Sequence, residues 1–172
     1  MEKLRVLLSE EQIRERIAEL AAAIRKDYQD KRPLLIGVLK GSFMFMADLV
    51  RALNIPLEVE FVRLSSYGSS KISTGKIRVV QGLRARVAGR DVLVVEDIVD
   101  TGHTVCFLLD YLCRRKPASL KLCALFDKPS RRVVDVSIDY LGFTVPDAFV
   151  VGYGLDFDER FRYLPCLYVL EE

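Results

Sequence analysis

Residues 92–95 read Val-Leu-Val-Val, an unbroken apolar run rich in β-branched side chains. A run of this kind fits a strand buried on both faces. It stops at Glu96 and Asp97, with Asp100 three residues on and Gly102 after it. From Val105 to Cys113 the chain is apolar again, over a length that suits a helix packed on a sheet. Strand, acidic loop and helix are the layout of a site at the carboxyl end of a parallel strand. The backbone N–H groups of Thr101, Gly102, His103 and Thr104 open the helix, where free donors and the helix dipole favour a phosphate. Thr101 and Thr104 add hydroxyl donors, and Gly102 lets the backbone come close. Acids here would repel a bare phosphate. The combination suits a sugar phosphate, with the carboxylates serving its hydroxyls and a divalent cation.

At 172 residues the chain predicts one domain, 1–172, with room for a substantial core. A net charge of +2 gives no general reason to expect nucleic acid or a membrane surface as partner. No apolar run approaches the roughly 20 residues of a membrane span, and the N-terminal residues lack the apolar segment of a secretion signal. The four cysteines form no C-x-x-C pair and sit in apolar surroundings, which predicts buried free thiols in a reducing cytoplasm. With a single histidine, zinc is excluded as an expectation.

Reading forward, residues 4–8 predict a short strand, and Ser9 with Gln12 three residues later predicts a capping box. Ile13, Ile17, Leu20 and Ile24 recur at helical spacing, so a helix is expected over Glu10–Tyr28. Leu34–Leu39 predicts a buried strand closed by Lys40 and Gly41, and 42–53 a helix apolar nearly all round. Residues 57–64 and 77–80 predict two more strands. Between them, 65–76 is a Ser, Gly, Tyr, Lys and Thr segment with no apolar period, expected to be a mobile loop. A long loop inside a compact domain is uncommon unless it serves as a lid or binding loop. A helix over 104–115 and a strand over 120–126 follow, the strand closed by Asp127 and Lys128. Alternating strands and helices predict an α/β fold with a mainly parallel, doubly covered sheet. In such a sheet Lys40-Gly41, the acidic motif and Lys128 all lie at carboxyl ends of strands, and they are expected to converge on one edge.

The segment Glu96-Asp97-Ile98-Val99-Asp100-Thr101-Gly102-His103-Thr104 resembles the phosphoribosyl-pyrophosphate (PRPP) motif of the type I phosphoribosyltransferases. In its paired acids and Ile-Val-Asp-Thr-Gly it is similar to that of the hypoxanthine–guanine phosphoribosyltransferases, and the resemblance covers nearly the whole chain. It implies the type I fold, with a small hood built from the chain termini. It also implies roles for particular residues. Glu96, Asp97, Asp100, Thr101, Gly102, His103 and Thr104 would hold phosphate and ribose, with Asp100 assisting catalysis at N7 of the purine. His103 is the one departure from the pattern, standing where some members carry lysine or a small or apolar residue. Lys40, Gly41 and Arg162 would bind pyrophosphate, Lys40-Gly41 matching a pair often associated with a cis peptide. Ser66 and Tyr67 belong to the loop that closes over PRPP. Lys128 matches the lysine on O6 of the purine, Phe149 the stacking aromatic, Val150 a backbone reader of the base edge, and Asp156 an acid near the 2-position. Magnesium is the implied cofactor, with Glu96, Asp97 and Asp156 as its protein ligands.

The implied reaction moves a phosphoribosyl group from PRPP to N9 of hypoxanthine or guanine, giving IMP or GMP and pyrophosphate. A homodimer or homotetramer is implied, with no nucleic acid and no membrane partner. Two alternatives share the fold. One is a PRPP- and nucleotide-binding regulator of RNA, and the other the same chemistry with xanthine or adenine as the base. Near-neutral charge, Lys128 and Phe149 weigh against the regulator.

Overall fold

In the computed structural model, which describes residues 3–66 and 77–171, the apolar run at Val92 is the middle of β5 (Asp91–Val99). Its side chains divide between two cores. Leu93 and Val95 pack with Ile17, Leu20 and Ile24 of helix α1 (Glu10–Tyr28) and with Phe45 and Leu49 of α2 (Phe43–Leu53). Val92 and Val94 join the opposite cluster, with Val105, Leu108 and Leu112 of α3 (His103–Cys113). A strand turns successive side chains to opposite faces, so helices on both sides require apolar residues at every position. That requirement is why the run does not alternate.

The main sheet has the order β4-β3-β2-β5-β6-β7. Here β2 is Leu34–Leu39, β3 is Glu58–Ser66, β4 is Ile77–Gln81, β6 is Ser119–Asp127 and β7 is Tyr140–Thr144. Strands β3, β2, β5, β6 and β7 run parallel, and β4 returns antiparallel to β3. The carboxyl ends of β2, β5 and β6 therefore open on one edge, as expected for Lys40, the acidic motif and Lys128. A second sheet of order β1-β9-β8 joins β1 (Lys3–Leu8), β9 (Leu167–Glu171) and β8 (Val150–Val151) antiparallel. It is the hood expected from the chain termini.

Helix α1 has the expected bounds. The Ser9 hydroxyl accepts from Gln12 N–H at 3.2 Å, and Gln12 Oε1 accepts from Ser9 N–H at 2.9 Å. Other boundaries moved. The strand expected to stop at Val95 continues to Val99, because its ladder with β6 runs on through Ile98–Phe126 and Val99–Asp127. Glu96 and Asp97 are therefore strand residues and not part of a loop. Ser65 and Ser66, expected in the loop over 65–76, end strand β3, paired with Arg78 and Ile77. Tyr67 and the rest of that segment lie outside the described residues. The peptide bond that is cis is Leu39–Lys40, one bond before Lys40-Gly41.

Candidate active site

Three strand ends and the hood deliver side chains to a cleft of about 310 Å³. Lys40 and Gly41 follow β2, Asp97 and Asp100 come from the end of β5 and its turn, and Lys128 follows β6. The hood side brings Phe149, Val150, Asp156 and Arg162 to the same cleft. Glu96 does not line it. Neighbours on a strand point to opposite faces, and Glu96 lines a second hollow of about 80 Å³ with Asp100, Thr101, Gly102 and Thr104. Asp100 borders both spaces.

The phosphate-type loop is built as the sequence suggests. Gly102 caps α3 with φ of 91°, and a Cβ there would lie 2.5 Å from the Val134 carbonyl oxygen. Only glycine suits both conditions. Thr101 accepts from the N–H groups of Val133 and Val134 at 2.9 and 3.0 Å, which braces the loop from behind. His103 is the first residue of α3, and its N–H lies 3.5 Å from Thr101 Oγ1. Gly41 answers a different demand. A Cβ there would fall 1.6 Å from Asp97 Oδ2, so the carboxylate and that stretch of backbone can meet only at a glycine.

Charge in the cleft is heavily paired. Lys128 is buried, and its ammonium donates to the Ala148 carbonyl at 2.6 Å. Of its three donors two remain. Lys40 Nζ donates to Glu159 Oε1 at 2.7 Å. Arg162 reaches Asp156 Oδ1 at 2.8 Å and Glu159 Oε2 at 3.7 Å, and it donates to the Gly154 carbonyl at 2.8 Å. Lys40, through its hydrogen bond first, holds the Glu159 carboxyl below its ordinary range. Burial, and then the neighbouring Asp97 charge, push Glu96 well above the usual carboxylate value. Phe149 is half-exposed and meets Phe157 edge to face, ring centres 5.5 Å apart.

Several of these groups escaped the sequence reading. Arg131 lines the cleft with its guanidinium 3.7 Å from Asp100 Oδ1, an atom buried without a hydrogen-bond partner among the described residues. Arg132 donates to the Asp100 carbonyl at 3.1 Å and forms a close ion pair with Asp127. The Arg131-Arg132 pair, three and four residues after Lys128, was the available signal. Glu159 carried none, since its partner Lys40 is 119 positions away.

Glu96, Asp97 and Asp156 do not gather into a preformed cage, and among the described residues no three such side chains do. Asp97 and Asp156, however, share the cleft. Two carboxylates fit magnesium, which takes one or two from protein and completes its shell with water and substrate phosphate oxygens. A larger groove, of about 430 Å³, runs along α1 and α2 past Tyr153 and Tyr163. Its lining is mainly apolar, with Arg14 as its one basic residue, against the two lysines and two arginines of the smaller cleft.

A cleft at the carboxyl edge of a parallel sheet, next to a hollow at a helix N-terminus and ringed with paired acids and bases, suits a sugar-phosphate transferase. The family model of the phosphoribosyl transferase domain matches residues 6–158, and the chain belongs to that family. The hypoxanthine-guanine phosphoribosyltransferase of Bacillus subtilis is 48% identical over 167 residues, spanning 97% of this chain and 93% of that protein. The hypoxanthine phosphoribosyltransferase of Haemophilus influenzae is 49% identical, with 97% and 96% covered. A crystal structure of a hypoxanthine-guanine phosphoribosyltransferase from Bacillus anthracis superposes with a TM-score of 0.92 at 43% identity, covering 97% of this chain and 98% of that one.

Proposed function

We infer that this chain transfers the 5-phosphoribosyl group of PRPP to N9 of hypoxanthine or guanine, giving IMP or GMP and pyrophosphate, a purine-salvage reaction. The observation that carries the reading is the convergence of Lys128, Asp100, Lys40 and Arg162 on one cleft beside the N-terminus of α3. The 5-phosphate suits the N–H groups of residues 101–104, where the helix dipole and unpaired donors favour an anion. Glu96 and Asp97 take the ribose hydroxyls and fix the anomeric carbon between base and leaving group. Lys40 and Arg162 neutralise charge on the departing pyrophosphate. Magnesium, held by Asp97 and Asp156, would add charge neutralisation of the same kind when bound. Asp100 takes or shares the purine proton at N7, with the Arg131 guanidinium 3.7 Å away. The exposed face of Phe149 stacks on the purine plane, and the Val150 backbone meets the base edge.

Lys128 sets the choice of base. An ammonium only donates, so its free donors suit O6 of hypoxanthine or guanine. Adenine offers an amino donor there, leaving two donors opposed in a closed pocket. An unsatisfied buried polar group costs about 1–3 kcal/mol, so adenine is disfavoured by at least tens-fold. Values of kcat/KM for hypoxanthine, guanine, xanthine and adenine decide it. Adenine used as well as hypoxanthine would remove the Lys128 role. Loss of hypoxanthine use in Lys128→Gln, with PRPP binding intact, supports it.

A homodimer or homotetramer completes the proposal, supported by the half-exposed Phe43 on the apolar helix α2 and by the strongly exposed Tyr163. Four cysteines without disulfides support a cytoplasmic setting.

A further inference from the structure

We propose that Glu159 is an internal stand-in for pyrophosphate: in the free enzyme its carboxylate occupies the two cations, Lys40 and Arg162, and competes with the incoming diphosphate for them. The inference rests on the reading of those two cations as the pyrophosphate subsite.

The hairpin tip that carries Glu159 is built to present it. Phe157 and Arg160 exchange backbone hydrogen bonds of 3.1 and 3.0 Å, leaving Asp158 and Glu159 as the two central residues. Both have positive φ, 51° and 59°. A two-residue turn with both centres left-handed is the primed hairpin type, which prefers Asn-Gly or Asp-Gly. Glutamate has no such preference, and left-handed backbone is unfavourable for a side chain of its size. The turn is pinned nonetheless, since the Glu159 N–H donates to Asp156 Oδ2 at 2.9 Å. The side chain then spans outward, one oxygen 2.7 Å from Lys40 Nζ and the other 3.7 Å from Arg162 Nη2. Backbone held in an unfavourable region at a ligand site points to function there.

The chemistry explains what such a contact does. Two cations aimed into one cleft repel each other when nothing lies between them. Asp156 already offsets Arg162 at 2.8 Å, and the exposed Glu159 carboxylate lowers the remaining repulsion without matching the charge of a diphosphate. The diphosphate of PRPP therefore displaces Glu159 on entry, and the carboxylate returns as pyrophosphate leaves. Exposed pairs of this kind are weak, so the competition is modest: about two- to fivefold in affinity.

The test is calorimetric titration of the folded enzyme with pyrophosphate in the presence of magnesium, for wild type, Glu159→Gln and Lys40→Gln. Glu159→Gln is expected to bind pyrophosphate about two- to fivefold tighter. The product-inhibition constant should fall by the same factor, KM for the base should stay unchanged, and the difference should shrink as salt is raised. Unchanged or weaker binding in Glu159→Gln overturns the proposal, weaker binding showing that Glu159 only aligns the cations. Glu159→Asp, which keeps the charge on a shorter arm, is expected to lie between the two. Lys40→Gln reports separately on the underlying reading. If it binds pyrophosphate as tightly as wild type, Lys40 is not a pyrophosphate group and the competition falls with it.

Discussion

Asp100 borders both the hollow at the start of α3, proposed for the phosphate, and the cleft proposed for the purine. Its Oδ1 is buried and finds no hydrogen-bond partner among the described residues, with Arg131 as its nearest opposite charge at 3.7 Å. Asp100→Asn keeps the shape and removes the basicity, so turnover should fall about 10²–10⁴-fold, the usual share of an acid–base group, while IMP still binds. Single-turnover kinetics with a parallel IMP titration check this, and wild-type turnover would end the assignment. Glu96 makes a different prediction. Burial first, and then Asp97, raise its folded value above the ordinary 4.5, so the folded state holds the Glu96 proton more tightly than the unfolded chain does. The stability this group contributes is complete below the ordinary value and is lost as pH rises through the raised one. Glutamine cannot ionise. With magnesium chelated, Glu96→Gln should therefore melt above wild type at about pH 7, the gap closing toward about pH 4. A gap that does not change with pH would contradict this.

At the scale of elements, helix α1 shows what local chemistry can specify. Its start is fixed by a reciprocal pair of side-chain hydrogen bonds between Ser9 and Gln12, and its inner face by Ile13, Ile17, Leu20 and Ile24. Ser9→Ala removes the accepting hydroxyl and should cost about 1 kcal/mol by denaturant titration, with the slope of the transition unchanged. These signals are all written within a few residues of one another, and the helix was legible to the residue. Strand β5 was less so. Acidic residues read as the end of a strand, yet a ladder partner can carry a strand past them, and β6 does so as far as Val99. Continuing as strand is what sends Glu96 and Asp97 to different faces. Most of the cleft was readable because its residues follow strand ends that a parallel sheet must gather on one edge. Glu159 was not readable, since its place depends on a contact that only the folded chain makes.

For the whole molecule, the site lies between two sheets of very different make. One side rests on neighbouring parallel strands β2, β5 and β6, each buried within the central sheet. The other side rests on β8, two residues long, which would be a poor support alone. It is held by β9 through Val150–Val169 and Val151–Tyr168, and Leu170 N–H donates to the Phe149 carbonyl at 2.9 Å. β9 is held in turn by β1, Lys3 lying opposite Glu171 and Arg5 bridging to the Glu171 carboxylate at 2.8 Å. This pairing sets an order of events during translation. As the ribosome feeds out the chain, β1 emerges first and finds no partner until residues 167–171 follow it. By then every strand of the central sheet has already been made. The growing polypeptide thus completes the side of the cleft proposed for the sugar phosphate before the side proposed for the purine, and a chain halted short of Leu167 would leave Phe149 and Val150 without the strand that braces them.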